Sequence, residues 1–289
     1  MESQENQYRW PKAEAVYPDR PGRSYTLKRL RYRLRAFLHR GLIAQFEQFI
    51  NQHPFLVTLL NEHADYSYPL VYRFLDKRFN RKQRFQAICD NLLFLPKKLT
   101  ALSAPIYKTS PSFGEVIPDF EMVLSMTTHQ PMEGYWVLEL WHKPRNELVY
   151  LLTFAKLGES LLISVVQGPN FEGSKEMVKQ LTKTCYGLRP AYLMVETMKA
   201  LTKVLGFNQL LGIPQKYQNK SRFIQSSHYV VDYDAIFAES GGQLKDYWEL
   251  PLEIDRNLDE VPSKKRSMYR KRYAMLDDLA KVIEEKLEL

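Results

Sequence analysis

The first periodic run of apolar residues in the chain begins soon after Tyr25. Its apolar members recur at spacings of three and four residues, and basic residues fill most of the positions between them. The apolar members are Leu27, Leu30, Leu34, Phe37 and Leu38, and the basic ones are Lys28, Arg29, Arg31, Arg33 and Arg35. This spacing predicts an amphipathic helix with a strongly basic polar face.

Two environments suit such a helix. In one, its apolar stripe packs against the rest of the domain while the arginines face water. In the other, the helix lies on a membrane surface that contains anionic lipid. Of these two, we expect burial against the domain.

Helical spacing continues through most of the first hundred residues. A second helix follows Gly41 and ends at His53, because the residue before a proline avoids the helical region. Further helices are predicted near 69–74 and at 81–93. We therefore expect a flexible N-terminal lead at residues 1–24 and a mainly helical portion at residues 25–115.

The remaining chain, residues 116–289, is predicted to be the α+β core. Three segments rich in β-formers are separated by short turns, which is typical of an antiparallel meander. They are 135–141, 148–154 and 160–166. A helix near 174–184, a second helix that begins at Pro190 after Arg189, and further short strands follow, and a basic helix from Ser263 ends the chain. The predicted fold is α+β, with a helical N-terminal portion packed on a mixed, largely antiparallel sheet.

Composition narrows the classes of partner. The chain has 289 residues, 45% hydrophobic and 26% charged, with a formal net charge of +8, so it is globular and favours anionic partners. No recognised nucleic-acid motif accompanies the charge, and a nucleic-acid partner is not expected. The polar start lacks the features of a secretory signal, and the two cysteines are far apart. Both observations favour a cytoplasmic protein.

Several familiar catalytic and metal-binding motifs are missing from the sequence. It contains no HExxH, P-loop or GxSxG pattern and no cluster of His and Cys residues. No metal is expected, and a Ser-based nucleophilic mechanism is not indicated.

A set of short strings in the second half resembles the VirK/YbjX family (DUF535) of bacterial proteins, and their order and spacing carry the match. They are 167–169 (QGP), 184–190 (TCYGLRP), 205–207 (LGF), 231–234 (VDYD), 241–242 (GG), 248–251 (WELP) and 263–273 (SKKRSMYRKRY). The resemblance implies a role in the bacterial envelope, in the display of surface virulence factors and in resistance to antimicrobial peptides. It implies no particular reaction.

The terminal basic segment is the first candidate for a ligand site. Its cations stand in the first turns of the predicted helix, next to the positive end of the helix dipole, where a bound phosphate would offset them. These candidate residues are Lys264, Lys265, Arg266, Arg270 and Arg272. The alternative is a solvated or internally paired face. We expect this cluster to share one concavity with Arg189.

A second candidate is the order strand, glycine-containing loop, helix and strand around Gln167, Gly168 and Arg189. Preceded by a meander, it is similar in architecture to the GNAT-type acyl-CoA-dependent N-acyltransferases, in which such a loop binds pyrophosphate. An inserted helix and the lack of a glycine-rich pattern depart from that type. Acyl-CoA is the cofactor that this reading implies, and Glu139 and Tyr233 are its candidate catalytic groups.

Three functions therefore remain open. The leading one is an accessory factor for envelope function that acts from the cytoplasm, at the surface of the inner membrane or through a protein partner. The second is a GNAT-like acyltransferase that modifies an envelope component or a protein. The third is a non-enzymatic binder of an anionic partner.

Overall fold

A computed structural model describes residues 7–127, 130–219 and 231–287 of the chain. Within these residues, helices cluster before residue 99 and after residue 173, and most strands lie between them. The helices are α1 (Ala13–Val16), α2 (Thr26–Leu38), α3 (Arg40–Asn51), α4 (Pro54–Glu62), α5 (Arg81–Lys98), α6 (Ser174–Thr184), α7 (Pro190–Val204), α8 (Tyr233–Glu239) and α9 (Ser263–Leu287). A 3₁₀ helix, Ala64–Val71, joins α4 to the segment before α5.

Eight strands form one sheet in the described part of the chain. They are β1 (Ser112–Ile117), β2 (Phe120–Met126), β3 (Trp136–His142), β4 (Glu147–Leu157), β5 (Ser160–Gln167), β6 (Leu210–Gly212), β7 (Gln243–Leu244) and β8 (Trp248–Leu250). Their order in the sheet is β1-β2-β3-β4-β5-β6-β8-β7. All neighbours are antiparallel except β5 and β6, which run parallel and are connected through α6 and α7. The predicted α+β class and the mixed, largely antiparallel sheet are confirmed.

The core lies between this sheet and its helices. The strand β5 is almost wholly buried, β3 and β4 are buried at about half of their positions, and both α5 and α7 contact β4. The long α9 packs along α7 and reaches β1. Asn91 in α5 forms hydrogen bonds with the C-terminal part of β4, beyond Phe154, the last residue of β4 that pairs with β3. Its side chain accepts from the Lys156 N–H at 2.7 Å and donates to the Lys156 carbonyl at 2.8 Å.

The N-terminal segment packs on α2 and α3. Tyr8 is 1% exposed, and its hydroxyl lies 2.7 Å from that of Ser67 in the 3₁₀ helix. The Tyr8 and Trp10 amide groups donate to side chains of α3, at 2.8 and 2.7 Å. These contacts place residues 7–18 against the helices that carry the candidate surface described below.

Candidate functional site

The apolar stripe of α2 faces solvent, and the expectation that it is buried was wrong. Six large apolar side chains are highly exposed in the described part of the chain, and five of them belong to this stripe. They are Leu27 (68%), Leu30 (59%), Leu34 (58%), Phe37 (64%) and Leu38 (57%). The stripe therefore forms one continuous apolar face at helical spacing. The sixth exposed side chain, Leu244, lies apart on β7.

Aromatic and arginine side chains attach the other side of α2 to the protein. Tyr32 is 2% exposed, stacks on Trp10 with ring centroids 6.1 Å apart, and donates its hydroxyl to the Pro11 carbonyl at 2.8 Å. Arg29 donates to the Tyr17 carbonyl at 2.7 Å. Because these contacts occupy the protein-facing side, the leucines on the opposite side point into solvent.

Three cations of α2 stand between its buried side and the apolar face. Lys28, Arg31 and Arg35 each follow a leucine of the stripe by one position, a rotation of about 100° around a helix of 3.6 residues per turn. They line a cavity of about 780 Å³ together with Tyr68, Asp65 and residues from 15–20 and 130–132. The cavity thus borders the apolar face of α2.

Two tyrosines hold Arg35 in the cavity wall. Its guanidinium donates to the Tyr68 hydroxyl at 2.6 Å and lies 4.0 Å from the centroid of the Tyr72 ring. Asp65 is the one acidic residue of the lining. Burial raises the pKa of its carboxyl, because desolvation disfavours the charged form.

A second candidate site is the point at which the paired strands β5 and β6 diverge. The two strands pair from Leu161–Leu210 to Ile163–Gly212, and the Ile213 amide still donates to the Ile163 carbonyl at 3.0 Å. Here β6 ends while β5 continues to Gln167. Between the Thr153–Val165 and Phe154–Ile163 pairs, β5 contains one extra residue, Ser164, which is a β-bulge.

The first residue of α8 lies against this unpaired part of β5. The backbone N–H of Val166 donates to the hydroxyl of Tyr233, whose pKa is raised by burial and by nearby Glu133. Asp232 caps α8 by accepting from the Ala235 amide at 2.9 Å. The Tyr233 phenol is therefore protonated at neutral pH and occupies the gap beside β5.

Glu133 joins this arrangement from the segment before β3. It is 5% exposed, and its Oε2 lies 3.4 Å from the Gln167 side-chain nitrogen. The Ser164 hydroxyl donates to the Glu133 carbonyl and to that of Thr153. The end of β5 thus brings together a carboxyl group, an amide and a phenol. Sequence pattern alone gives no signal for Glu133, because this residue lies in a loop without a motif.

Of the residues predicted for an acyl-CoA site, Gln167 and Tyr233 lie at this divergence. Glu139 pairs with Leu151, which pairs in turn with Gln167, so Glu139 is two strands away and accepts from Trp141 at 3.0 Å. Gly168 packs against the ring of Tyr150, which is 3.1 Å from the position of an added Cβ. Arg189 is the exposed N-cap of α7 and interacts with Tyr192.

The terminal cations are distributed over two sides of the start of α9. Lys264, Lys265 and Arg270 are exposed. Arg266 donates to the Val261 carbonyl at 2.9 Å, whereas Arg272 donates to the Tyr186 carbonyl at 2.8 Å. Arg272 thus approaches the loop that precedes Arg189, while Arg266 braces the start of its own helix. The shared concavity stays a prediction.

Comparison with known proteins gives the family. The family described as "Protein of unknown function (DUF535)" matches residues 21–285. The chain belongs to the DUF535 family. An "Uncharacterized protein" of Haemophilus influenzae is 79% identical over 282 residues, covering 98% of this chain and 97% of its own. The predicted family resemblance is confirmed.

Two further relatives extend the family. "Membrane protein LapB" of Mannheimia haemolytica is 65% identical over 216 residues, covering 75% of this chain and 96% of its own. "Uncharacterized protein YbjX" of Escherichia coli is 24% identical over 279 residues, covering 89% and 83%. No solved structure matches this DUF535 protein. Among its described helices, none combines the length and the apolar character needed to cross a bilayer.

Proposed function

We propose that this DUF535 protein is a peripheral membrane protein of the bacterial envelope that binds an anionic bilayer through α2. The observation that carries the proposal is the apolar face of α2, with five side chains at least 57% exposed. Contiguous apolar surface of this kind marks an interaction site on a soluble domain. A helix with such a face and basic flanks suits the boundary between headgroups and acyl chains.

Charge complementarity supports a lipid surface as the occupant. Lys28 and Arg31 are exposed on one side of the stripe, Arg33 is exposed on the other, and Arg40 lies over the Phe37 ring at 5.3 Å. The whole chain carries a formal net charge of +8. Basic residues next to a membrane each contribute about 1 kcal/mol of attraction to anionic lipid. The leucines then supply the apolar contact.

The relatives and the family resemblance set the biological context of the proposal. The Mannheimia haemolytica relative is named a membrane protein. We place this chain on the cytoplasmic face of the inner membrane, as an accessory factor in envelope function that includes virulence and resistance to antimicrobial peptides. Binding to the bilayer, without a spanning helix of its own in the described residues, is how the protein reaches its site of action.

Co-sedimentation with lipid vesicles tests the proposal. The wild-type protein is expected to sediment with vesicles that contain phosphatidylglycerol and to remain largely in solution with phosphatidylcholine alone. The Leu30→Glu/Leu34→Glu variant is expected to stay in the supernatant, while Leu244→Glu, a matched change at the other exposed leucine, sediments like the wild type. Equal sedimentation of all three proteins would contradict the assignment to α2.

A second candidate function, acyl-CoA-dependent N-acyltransfer, is favoured by a different observation. An antiparallel meander leads into β5, which runs parallel to β6 and then departs from it at a β-bulge. Beyond Ile163 the backbone of β5 no longer pairs with β6 and instead contacts Tyr233, and α6 and α7 follow β5 as a phosphate-binding loop and helix follow their strand in GNAT-type enzymes. This order of strands supports the proposal.

The groups at the gap suit the chemistry of this second function. A substrate amine attacks the thioester carbonyl, so that a C–N bond forms and the C–S bond breaks. We assign Glu133 as the acceptor of the amine proton and Tyr233 as the donor of a proton to the leaving thiolate. Burial raises the pKa of Tyr233, so the phenol carries its proton at neutral pH; the same shift makes it a weaker acid, and the proton passes to the thiolate as the C–S bond breaks.

Ligand-induced stabilisation tests the second candidate. Acetyl-CoA and longer acyl-CoAs are expected to raise the melting temperature of the wild-type protein, as any ligand of the folded state does. Tyr233→Phe is expected to keep this rise and to lose turnover with an amine acceptor. Tyr25→Phe, a control at the N-cap of α2, is expected to keep both. The absence of any rise with the wild-type protein would refute acyltransfer.

A further inference from the structure

The cavity beside α2 has the size and the walls of a ligand site. It has a volume of about 780 Å³, is open to solvent on one side and is lined by four segments: α1 with the turn after it, α2, the 3₁₀ helix with the residues that follow it, and residues 130–132. Ligand pockets in proteins commonly have volumes of about 300–1,000 Å³. Its lining combines four cations, one carboxyl group and three tyrosines.

The cations of the lining lack acidic partners. Within the described residues, Arg20, Lys28, Arg31 and Arg35 form no ion pair with a carboxylate. By contrast, two other arginines of α2 are paired, Arg29 with Asp19 at 2.7 Å and Arg33 with Glu14. Asp19 and Glu14 thus neutralise two cations outside the cavity, whereas the cations of the lining are not neutralised by an ion pair and are available to bind an anionic ligand.

Arg35 is preorganised for an anion. The Tyr68 hydroxyl and the Tyr72 ring fix its guanidinium at the cavity wall. A planar guanidinium presents paired N–H donors that match the oxygens of a phosphate group. Arg31 and Lys28 lie one and two turns before Arg35 on the same side of α2. Together they present three positive groups along one wall.

The other residues of the lining are compatible with a bound phosphate group of a lipid headgroup. Asp65 is the one carboxyl group of the lining, burial raises its pKa, and the four cations outnumber it. Tyr17 and Tyr68 add flat walls with polar edges. A phosphate group fits this polar lining better than a bare hydrocarbon does.

The position of the cavity points to the source of the phosphate. Its three α2 cations are one residue away from Leu27, Leu30 and Leu34, so the cavity opens along the border of the apolar face. When that face lies in the acyl-chain boundary of a bilayer, the cavity is level with the headgroups. We propose that the cavity binds the phosphomonoester headgroup of an anionic lipid, an inference that rests on the proposed binding of α2 to the membrane.

A headgroup-selectivity experiment tests this inference. Binding of the full chain is measured to vesicles that contain phosphatidic acid, a phosphomonoester lipid, and to vesicles of phosphatidylserine adjusted to the same surface charge. The wild type is expected to prefer phosphatidic acid by about tenfold or more, the effect of one charge-assisted hydrogen bond. Lys28→Gln/Arg31→Gln is expected to lose this preference, because the substitutions remove two positive charges from the cavity wall and leave the buried core unchanged.

Two further variants keep the test specific. Arg33→Gln/Arg40→Gln removes two cations outside the cavity, one of them paired with Glu14, and lowers the formal charge of the chain by the same two units, so it is expected to retain the preference. Arg35→Lys keeps the charge, loses the fork of N–H donors and is expected to reduce the preference. If the cavity double variant and the control double variant behave alike, the cavity assignment is overturned.

Titration with soluble glycerol 3-phosphate separates this inference from the proposed function. Binding to the wild type that is lost in Lys28→Gln/Arg31→Gln supports a phosphate site, whether or not vesicles bind. If vesicles bind through α2 but neither the headgroup preference nor the soluble phosphate ester is observed, the inference fails while the proposed function stands. If no vesicle binds, the proposed function fails, and with it the assignment of the phosphate to a lipid.

Discussion

Substitutions on the exposed side of α2 are expected to weaken membrane binding, whereas a substitution on its buried side is expected to lower the stability of the protein. Changing Leu30 and Leu34 to alanine removes apolar surface that is 59% and 58% exposed in the protein. Full burial of a leucine side chain contributes about 1.5–3 kcal/mol, so the exposed fraction of each represents about 1 kcal/mol that only a membrane contact realises. The double variant is therefore expected to bind anionic vesicles about 30-fold more weakly, since about 1.4 kcal/mol corresponds to a factor of ten.

The same double variant is expected to leave the free energy of unfolding within about 0.5 kcal/mol of the wild type, because surface substitutions of this kind have small effects and alanine favours helix. Tyr32 provides the contrast. It is 2% exposed and packed on Trp10, so Tyr32→Ala is expected to lower the stability by about 3–5 kcal/mol. Urea denaturation followed by circular dichroism measures both stabilities, and vesicle sedimentation over a lipid titration measures the affinities.

One result would refute the reasoning directly. If Leu30→Ala/Leu34→Ala lowered the stability by more than about 1 kcal/mol and left vesicle binding intact, the stripe would be packed against protein in solution. Such a loss of stability is the signature of a cavity in a core, and an exposed face does not show it.

Three other outcomes test the structure around the site. Asn91→Ala leaves the end of β4 without its partners and is expected to lower stability by about 2–5 kcal/mol in urea titrations. Burial raises the pKa of the Cys89 and Cys185 thiols to about 12, so neither is expected to react with a thiol reagent at pH 8 until urea is added. Gly212→Ala places a Cβ 2.6 Å from the Phe237 ring; a decrease in melting temperature corresponding to about 1–3 kcal/mol is expected.

Local signals in the sequence account for several elements. The helix predicted after Arg189 begins at Pro190, and Gly206 follows its end with a φ of +73°. The predicted helix at 174–184 and the terminal helix from Ser263 also have their expected bounds. These boundaries depend on the fixed φ of proline, the missing Cβ of glycine and short-range periodicity, which act within a few residues.

Other elements could not be predicted from the local sequence pattern. The strands β1 and β2 were not predicted, because Gly114 with positive φ and two register shifts interrupt the alternation of β1. Their strand conformation comes from pairing with each other and with β3. A helix was predicted near residues 69–74, where the structure has a 3₁₀ helix at Ala64–Val71 that contains Pro69.

The sequence by itself determined the family, the α+β class and the amphipathic character of α2. Only the tertiary structure decided which side of α2 is buried, because Tyr32 and Arg29 found partners in residues 7–19 while the leucines found none among the described residues. It also brought Glu133 close to Tyr233, which lies 100 positions later in the chain. Periodicity in the sequence shows which positions share an apolar face of a helix. Whether that face is buried depends on surfaces that distant parts of the chain supply.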